Sequence, residues 1–507
     1  MNSNRACLLG MLALALSAGC AKRHAVFMPS SPESHVVALA SWVPQEAQVM
    51  VLLSPLEAWK ASLEQVDTRS SLGLAKEALE ARLKLKTLMD AWFQEVLLGG
   101  SPPEEEAKKA PDFFALSTWQ EMGLNTQAPL AAGFGESGGS LVLPVVDHAR
   151  FLAAIEKHLA SKGGWEAQPG MPLGLHAWET SPGTFVVLAP KPGLALFQLG
   201  KDLEVLKQRT QLPKEESWAQ HEDILLKIDS RLPLARLLSA WVRFDEAQLA
   251  QVEWAGAALA LHPRLKVVVD VAWREGKRPF LPKMRAVPFE PEEWSQGLGE
   301  VVGAFWSSVE WDWYLQWLRR YASKDVGAGS IAIFSALLKH NLEPPLLVRG
   351  QPQTKEGGGS FVASIDVLLK TGGSIEQLLQ ALTPLVAAGE LDAVPLGPDA
   401  SAWKTQLGDR EVVIQTLGQN RLRISDSAYN PAPAPPNALQ EVVMREMTRY
   451  PLAAMFHLNA LLGEPSLPRV FPESRLLEKA EYLLLGVYAE EDHAQLIGEH
   501  FVEADLP

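Results

Sequence analysis

The stretch that decides the fold runs from Ala128 to Leu159 and reads APLAAGFGESGGSLVLPVVDHARFLAAIEKHL. It contains a short apolar strand pattern, a glycine-rich turn, a second apolar strand and an amphipathic helix pattern. The same succession recurs from Pro344 to Leu382, in PPLLVRGQPQTKEGGGSFVASIDVLLKTGGSIEQLLQAL. A pattern that recurs at such a distance predicts an internal duplication.

Further matching segments occur in the same order in the two parts of the chain. Their first residues are Val51 and Ala304, Thr184 and Glu411, Asp223 and Pro451, and Glu253 and Glu481. The segments from Thr184 and Glu411 are predicted to be hairpins, the first with its turn at Pro190 and Gly193. We therefore predict an α+β fold of two tandem, similar halves, 38–285 and 286–507. Each half would be an antiparallel sheet covered by helices on one face. The helix pattern from Thr68 to Leu97 has no counterpart, and we predict that it is an insertion.

The turn GESGGS (135–140) resembles the GDSGG sequence around the nucleophile of chymotrypsin-like serine proteases. Aligning Ser140 with Ser360 places Ser137 opposite Gly357, a position that favours a tight turn. A serine protease also needs a histidine base, and the histidines before Ser137 are His24 and His35 near the N-terminus. We predict that Ser137 is a turn residue, that the chain has no catalytic residue and that it is not an enzyme.

The N-terminus, MNSNRACLLGMLALALSAGC, has one basic residue, an apolar run and small residues before Cys20. This order is typical of a secretory signal. Its end resembles the lipobox of bacterial lipoproteins, although Ser17 replaces the usual leucine. The resemblance implies a signal peptide over 1–19, a lipid on Cys20 and, because Ala21 is not aspartate, transfer to the outer membrane. Residues 20–37 are predicted to be a lipidated tether; the alternative is an ordinary signal that is cut near Gly19 and leaves Cys20 without a lipid.

The composition excludes several classes of function. A formal net charge of -14, without a basic stripe, argues against nucleic-acid binding. Cys7 and Cys20 are the two cysteines and both lie in or beside the signal, so the body cannot contain a disulfide or a cysteine-based metal site. We find no phosphate-binding glycine loop or dinucleotide motif, and we predict no cofactor.

One helix pattern, Trp306 to Tyr321, is unusually rich in aromatic residues. On a helix its aromatic side chains form one stripe, which is either part of the core or a binding surface. We predict Trp311 as the most exposed of them; the possible binding surface comprises Trp311, Trp313, Tyr314, Trp317 and Tyr321.

The segment Glu490 to His500 concentrates acidic residues and histidines. On a hairpin, Glu499 and His500 would point to opposite faces, so we predict a solvated hairpin and no metal site. His148 and His457 are isolated and are predicted to be structural.

The body also loosely resembles exported bacterial proteins of unknown function with a duplicated strand and helix core. Together these patterns predict a lipid-anchored envelope lipoprotein that acts as a non-enzymatic binding or scaffolding module. Its partner would be an envelope protein or a glycan. The alternative is a carrier that holds a lipid or another apolar ligand between the two halves.

Overall fold

The chain folds into two compact units, Met1–Lys277 and Arg278–Pro507. The fold is given by a computed structural model. The predicted boundary between residues 285 and 286 and the predicted helix Thr68–Leu97 lie outside the described residues. The residues described are 32–58, 61, 116–135, 138–162, 166–231, 236–244, 249–260, 266–277, 294, 301–321, 341–355, 358–370, 377–378, 394–395, 402–407, 410–417, 420–427, 438–457, 482–489 and 493–501.

The first unit is built on a continuous antiparallel sheet. Its strands, in chain order, are β1 (Val49–Leu53), β2 (Leu130–Gly135), β3 (Gly138–Pro144), β4 (Glu166–Ala167), β5 (His176–Ser181), β6 (Thr184–Lys191), β7 (Leu194–Gly200), β8 (Arg236–Arg243), β9 (Val252–Ala260) and β10 (Lys266–Trp273). Neighbouring strands pair in the order β4, β5, β6, β7, β3, β2, β1, β8, β9, β10.

The second unit has a sheet of the same kind. Its strands are β11 (Gly303–Ser307), β12 (Leu342–Lys355), β13 (Gly358–Leu369), β14 (Val394–Pro395), β15 (Ala402–Leu407), β16 (Arg410–Leu417), β17 (Arg421–Asp426), β18 (Leu452–His457), β19 (Tyr482–Ala489) and β20 (His493–Phe501). They pair in the order β14, β15, β16, β17, β13, β12, β11, β18, β19, β20. Position by position, this is the strand order of the first unit.

The described helices are few beside these strands. They are α1 (Pro32–Ala40), α2 (Leu116–Glu121), α3 (His148–Lys162), α4 (Leu203–Arg209), α5 (Glu222–Arg231), α6 (Trp311–Tyr321) and α7 (Ala438–Met447), with two short 3-10 helices at Lys214–Glu216 and Trp218–His221. Helix α4 shows why a local sequence begins a helix: the Asp202 side chain accepts hydrogen bonds from the backbone N–H groups of Glu204 and Val205. None of the described helices is long and apolar enough to span a bilayer.

Helices pack on both faces of the first sheet. Phe151 and Ile155 of α3 lie in a core with Leu141 and Phe197, which are paired residues of β3 and β7. Leu206 of α4 packs against Ala177 and Val187. Val187 pairs with Gln198, the strand neighbour of Phe197, so α4 lies on the face opposite to α3.

The predicted α+β fold, with helices over one face of each half, is therefore wrong. Strands dominate the described part of both units, and they form long antiparallel sheets. The sequence patterns underestimated the length of two strands because polar residues interrupt them: β12 and β13 are 14 and 12 residues long and carry Arg349, Gln351, Ser364 and Asp366. One predicted correspondence between the halves is also wrong. The segment from Asp223 begins in helix α5, whereas the segment from Pro451 forms strand β18.

Candidate functional site

The second sheet has two faces of opposite character over strands β12, β11, β18, β19 and β20. Successive side chains of a strand point to opposite faces, so the pairing register sorts these residues. Phe305 pairs with Val348 on one side and with Ala454 on the other, and Ala454 pairs with Leu485. These side chains therefore form one row across four strands.

This row belongs to a surface that we call the apolar face, made of Phe305, Val348, Ala454, Phe456, Leu485 and Leu496. Phe305 is 37% exposed and Leu496 is 43% exposed. The other members are half-buried. Phe305 lies on β11, which has a paired strand on each side, so a large apolar side chain is open to solvent away from any sheet edge.

The opposite face, which we call the covered face, is buried at most described positions of the same strands. Leu347 and Trp306, a cross-strand pair, are both 0% exposed. The Trp294 ring packs edge-on against Trp306, with ring centroids 5.7 Å apart. The Tyr450 ring covers Gly486, and the Tyr450 hydroxyl donates a hydrogen bond of 3.2 Å to the Glu499 carboxylate.

This distribution differs from the usual one in the side that meets solvent. Antiparallel sheets commonly bury an apolar face and present a polar face to water. Here the covered face contains Arg349, Asp366 and Glu499, while the exposed face contains Phe305 and Leu496. A contiguous apolar surface on a folded protein typically marks a place where a partner or ligand binds.

The aromatic helix borders the apolar face. Trp311 and Leu315 of α6 pack with Leu342, Val367 and Leu422 in the core of the second unit. The half-buried Tyr314 hydroxyl is hydrogen-bonded to Ser307 of β11, two residues from Phe305, and burial raises the pKa of Tyr314. Trp313 is half-buried and packs edge-on against Tyr314, at 5.2 Å between ring centroids.

The prediction that Trp311 is exposed is wrong. Trp311 is 9% exposed, and its indole N–H donates a hydrogen bond of 2.9 Å to the carbonyl of Leu342. A tryptophan at the first position of α6 can be buried because its long side chain packs against strand β12. The side chains of Trp317 and Tyr321, also predicted for this surface, lie outside the described residues.

The corresponding strands of the first unit, β1 and β8 to β10, carry smaller side chains. Val51 pairs with Ala240, which pairs with Ala257, which pairs with Val269. Val51, Ala257 and Val269 are half-buried, and Ala240 is 6% exposed. This row of the first unit thus contains only valine and alanine side chains where the second unit has Phe305.

Other predicted sites have different outcomes. Cys20 and Ser137 lie outside the described residues; β2 ends at Gly135 and β3 begins at Gly138. The solvated hairpin predicted for Glu490 to His500 is wrong for its second strand, because Glu499 and His500 are 6% and 4% exposed. Burial lowers the pKa of His500 to about 4.

The two isolated histidines lie in different units, and neither belongs to a metal site among the described residues. His457 stacks on Tyr482, with ring centroids 4.8 Å apart, and burial lowers its pKa. His148 is the first residue of α3. Over the described ranges, no three His, Cys, Asp or Glu side chains converge as metal ligands would.

The sequence did not reveal the apolar face because the strands that form it have apolar residues at both odd and even positions. Strand β19, YLLLGVYA, shows no alternation that would distinguish a covered side from an exposed one. The available signal was the polar residues of the neighbouring strands: Arg349 and Gln351 share one parity in β12, and that parity marks the covered face.

Comparison with known proteins gives no family. No family model and no curated protein matches the sequence. Among solved structures, the chain is similar to crystal form IV of TP0453, with 12% identity over 48% of this chain and 83% of that one. The TM-score of 0.26 is too low for the similarity to carry an argument.

Proposed function

We propose that this chain is an exported, lipid-anchored protein of the bacterial cell envelope that binds an apolar envelope component without catalysing a reaction. The exposure of Phe305 in the middle of a sheet carries this proposal. Covering the exposed third of this side chain would stabilise a complex by about 0.5–1 kcal/mol, because burial of a whole phenylalanine side chain gives about 1.5–3 kcal/mol. The partner class is an acyl chain or an apolar protein surface, since the apolar face carries no charged side chain.

The anchor in this proposal is a lipid on Cys20, and the membrane is the outer membrane. The support is the signal-like N-terminus and its resemblance to a lipobox. A lipid anchor would hold the second unit near acyl chains and envelope proteins, and such proximity favours a weak apolar contact over free diffusion.

A photo-crosslinking experiment tests the binding surface. A benzophenone amino acid is placed at position 305 in cells, and crosslinked lipid or protein is identified by mass spectrometry. Position 173 supplies the matched control, because Leu173 is an exposed apolar residue of the first unit outside the apolar face. We expect a specific crosslink from position 305 and none from position 173.

Substitution gives the second arm of the test. Phe305→Asp places a charge on the apolar face and should abolish that crosslinked species when the probe is moved to position 496. Leu173→Asp should leave it unchanged. Equal crosslinking from positions 305 and 173, or none from either 305 or 496, would show that the apolar face is not a binding surface.

We also propose that the two units arose by internal duplication. The shared strand order supports this origin, as does the turn register. Gly135 pairs with Gly138 in the first unit, and Lys355 pairs with Gly358 in the second, at the positions that the alignment of Ser140 with Ser360 makes equivalent.

A further inference from the structure

The apolar face of the second unit continues into a second row of side chains that ends beside helix α6. Leu496 pairs with Val487, and Val487 pairs with Leu452. Leu452 in turn pairs with Ser307 of β11. Since neighbouring strands lie about 4.8 Å apart, this row crosses about 14 Å of the sheet. Leu452 and Val487 are half-buried, and we call the apolar face together with these two residues the extended apolar face.

The strands beneath this surface have paired neighbours on both sides. Strand β11 pairs with β12 and β18, and β19 pairs with β18 and β20. Their backbone N–H and C=O groups therefore lie within hydrogen-bonded ladders. Hydrocarbon tolerates a protein backbone only where its polar groups are satisfied within the protein. This part of the sheet meets that condition.

The side chains of the extended apolar face offer no hydrogen bonds to a partner. They belong to phenylalanine, leucine, valine and alanine residues. The neighbouring Ser307 is 0% exposed and is hydrogen-bonded to Tyr314. Protein interfaces contain about one hydrogen bond per 100–200 Å² of buried area, which these side chains do not supply. Hydrocarbon needs no such bonds, so the surface is better suited to acyl chains than to a specific protein.

Helix α6 places aromatic side chains with polar atoms at the border of this surface. Trp313 and Tyr314 are half-buried and pack edge-on against each other. Asp312 and Gln316 of the same helix are exposed. Tryptophan and tyrosine rings are enriched at the level of lipid headgroups, where one end of the ring is in an apolar region and the other is in water. Helix α6 therefore has the composition of a boundary between hydrocarbon and water.

The proposed lipid anchor would bring the chain to a membrane. The described structure begins at Pro32, which follows Cys20 by 12 residues. A chain of that length spans at most about 40 Å. Lipidation of Cys20 would therefore hold the first unit close to the bilayer, and the second unit follows in the same chain.

We infer that the extended apolar face lies on the surface of a lipid bilayer, with Phe305 and Leu496 among the acyl chains. This inference rests on the binding role proposed above and names lipid as the partner. Anionic headgroups are not required, because the contacting residues are uncharged and a net charge of -14 opposes anionic lipids. The anchor and this surface act as two linked contacts, so each can be weak by itself.

A fluorophore at a single position tests the inference. The cysteines of the chain are Cys7 and Cys20, so residues 20–507 with Cys20→Ala contain every described residue and accept one new cysteine for labelling. An environment-sensitive dye is attached at Leu496→Cys or, as the matched control, at Leu173→Cys, another exposed leucine. With phosphatidylcholine vesicles, we expect the emission from position 496 to shift to the blue and to be quenched by nitroxide-labelled acyl chains. The emission from position 173 should not change.

Substitution of the exposed phenylalanine provides the second measurement. In the chain labelled at position 496, Phe305→Asp should weaken vesicle binding about ten-fold, because a carboxylate would have to leave water. Leu173→Asp should leave vesicle binding unchanged. Equal responses at positions 496 and 173, or none at 496, would overturn the inference, as would a response that requires phosphatidylglycerol.

The outcome also distinguishes this inference from the proposed function. A protein crosslinked from position 305 in cells, without any response to vesicles, would overturn the bilayer contact and leave the binding role intact. The absence of a crosslink from positions 305 and 496, together with no response to vesicles, would overturn both.

Discussion

At the scale of single residues, Gly486 shows how closely the covered face is packed. A Cβ atom at this position would lie 2.5 to 2.6 Å from ring atoms of Tyr450. We expect Gly486→Ala to lower the free energy of unfolding by about 1–3 kcal/mol, because the buried ring must move. Chemical denaturation measures the change. Gly498→Ala is the control, since its Cβ would meet Leu485 at an ordinary 3.6 Å; an equal loss there would contradict the packing argument.

His500 predicts a dependence of stability on pH. Its pKa is about 4 in the folded chain, below the ordinary value of 6.5, because burial disfavours the charged ring. As the pH falls below 6.5, the unfolded chain takes up a proton at His500 and the folded chain does not. Stability is therefore lost progressively down to pH 4, by about 3 kcal/mol for this residue.

Denaturant unfolding of the parent and of His500→Leu at a series of pH values measures this contribution. The difference in stability between the two should shrink or change sign in favour of the variant as the pH is lowered from 7 to 4. His221 and His457 also have lowered pKa values and remain in both proteins, so the difference isolates His500. A difference that is constant with pH would show that His500 is not buried as described.

At the scale of an element, two consecutive residues of strand β12 lie on opposite faces of the sheet. Leu347 is 0% exposed on the covered face, and its neighbour Val348 is half-buried on the apolar face. We expect Leu347→Ala to cost about 2–5 kcal/mol of stability, and Val348→Ala less than about 1 kcal/mol. Unfolding in denaturant compares them. Similar costs would mean that both faces are buried in solution.

The sequence predicted some elements and missed others for identifiable reasons. The hairpins β6–β7 and β16–β17 were predicted, because apolar runs flank recognisable turn residues such as Gly193. Strand β12 was only partly recognised, because arginine and glutamine, here Arg349 and Gln351, are typical of solvent-exposed positions. The burial of Arg349 depends on its ion pair with Asp366, which the sequence does not show. The burial of Trp311 depends on a hydrogen bond to Leu342, a contact between elements that no local pattern contains.

At the scale of the whole molecule, the proposed lipid anchor would make the position of the protein in the cell depend on Cys20. Cells fed an alkyne fatty acid should label the parent chain, and Cys20→Ala should lose both the label and its fractionation with membranes. Cys7→Ala is the matched control, because this cysteine lies within the predicted signal and should be removed with it. Labelling that persists in Cys20→Ala would place the anchor elsewhere.

The unequal length of two corresponding hairpins bears on how the chain could evolve. Strands β2 and β3 have 6 and 7 residues, whereas β12 and β13 have 14 and 12. The turn ends have the same register, so the extra residues lie at the far ends, where Arg349 and Asp366 are found. When a hairpin lengthens at its open end, the strand register does not change, so each existing residue stays on the same face of the sheet. If the two units arose by duplication as proposed, one copy could acquire Arg349 and Asp366 at the ends of its hairpin while the sheet kept its strand pairing in both units.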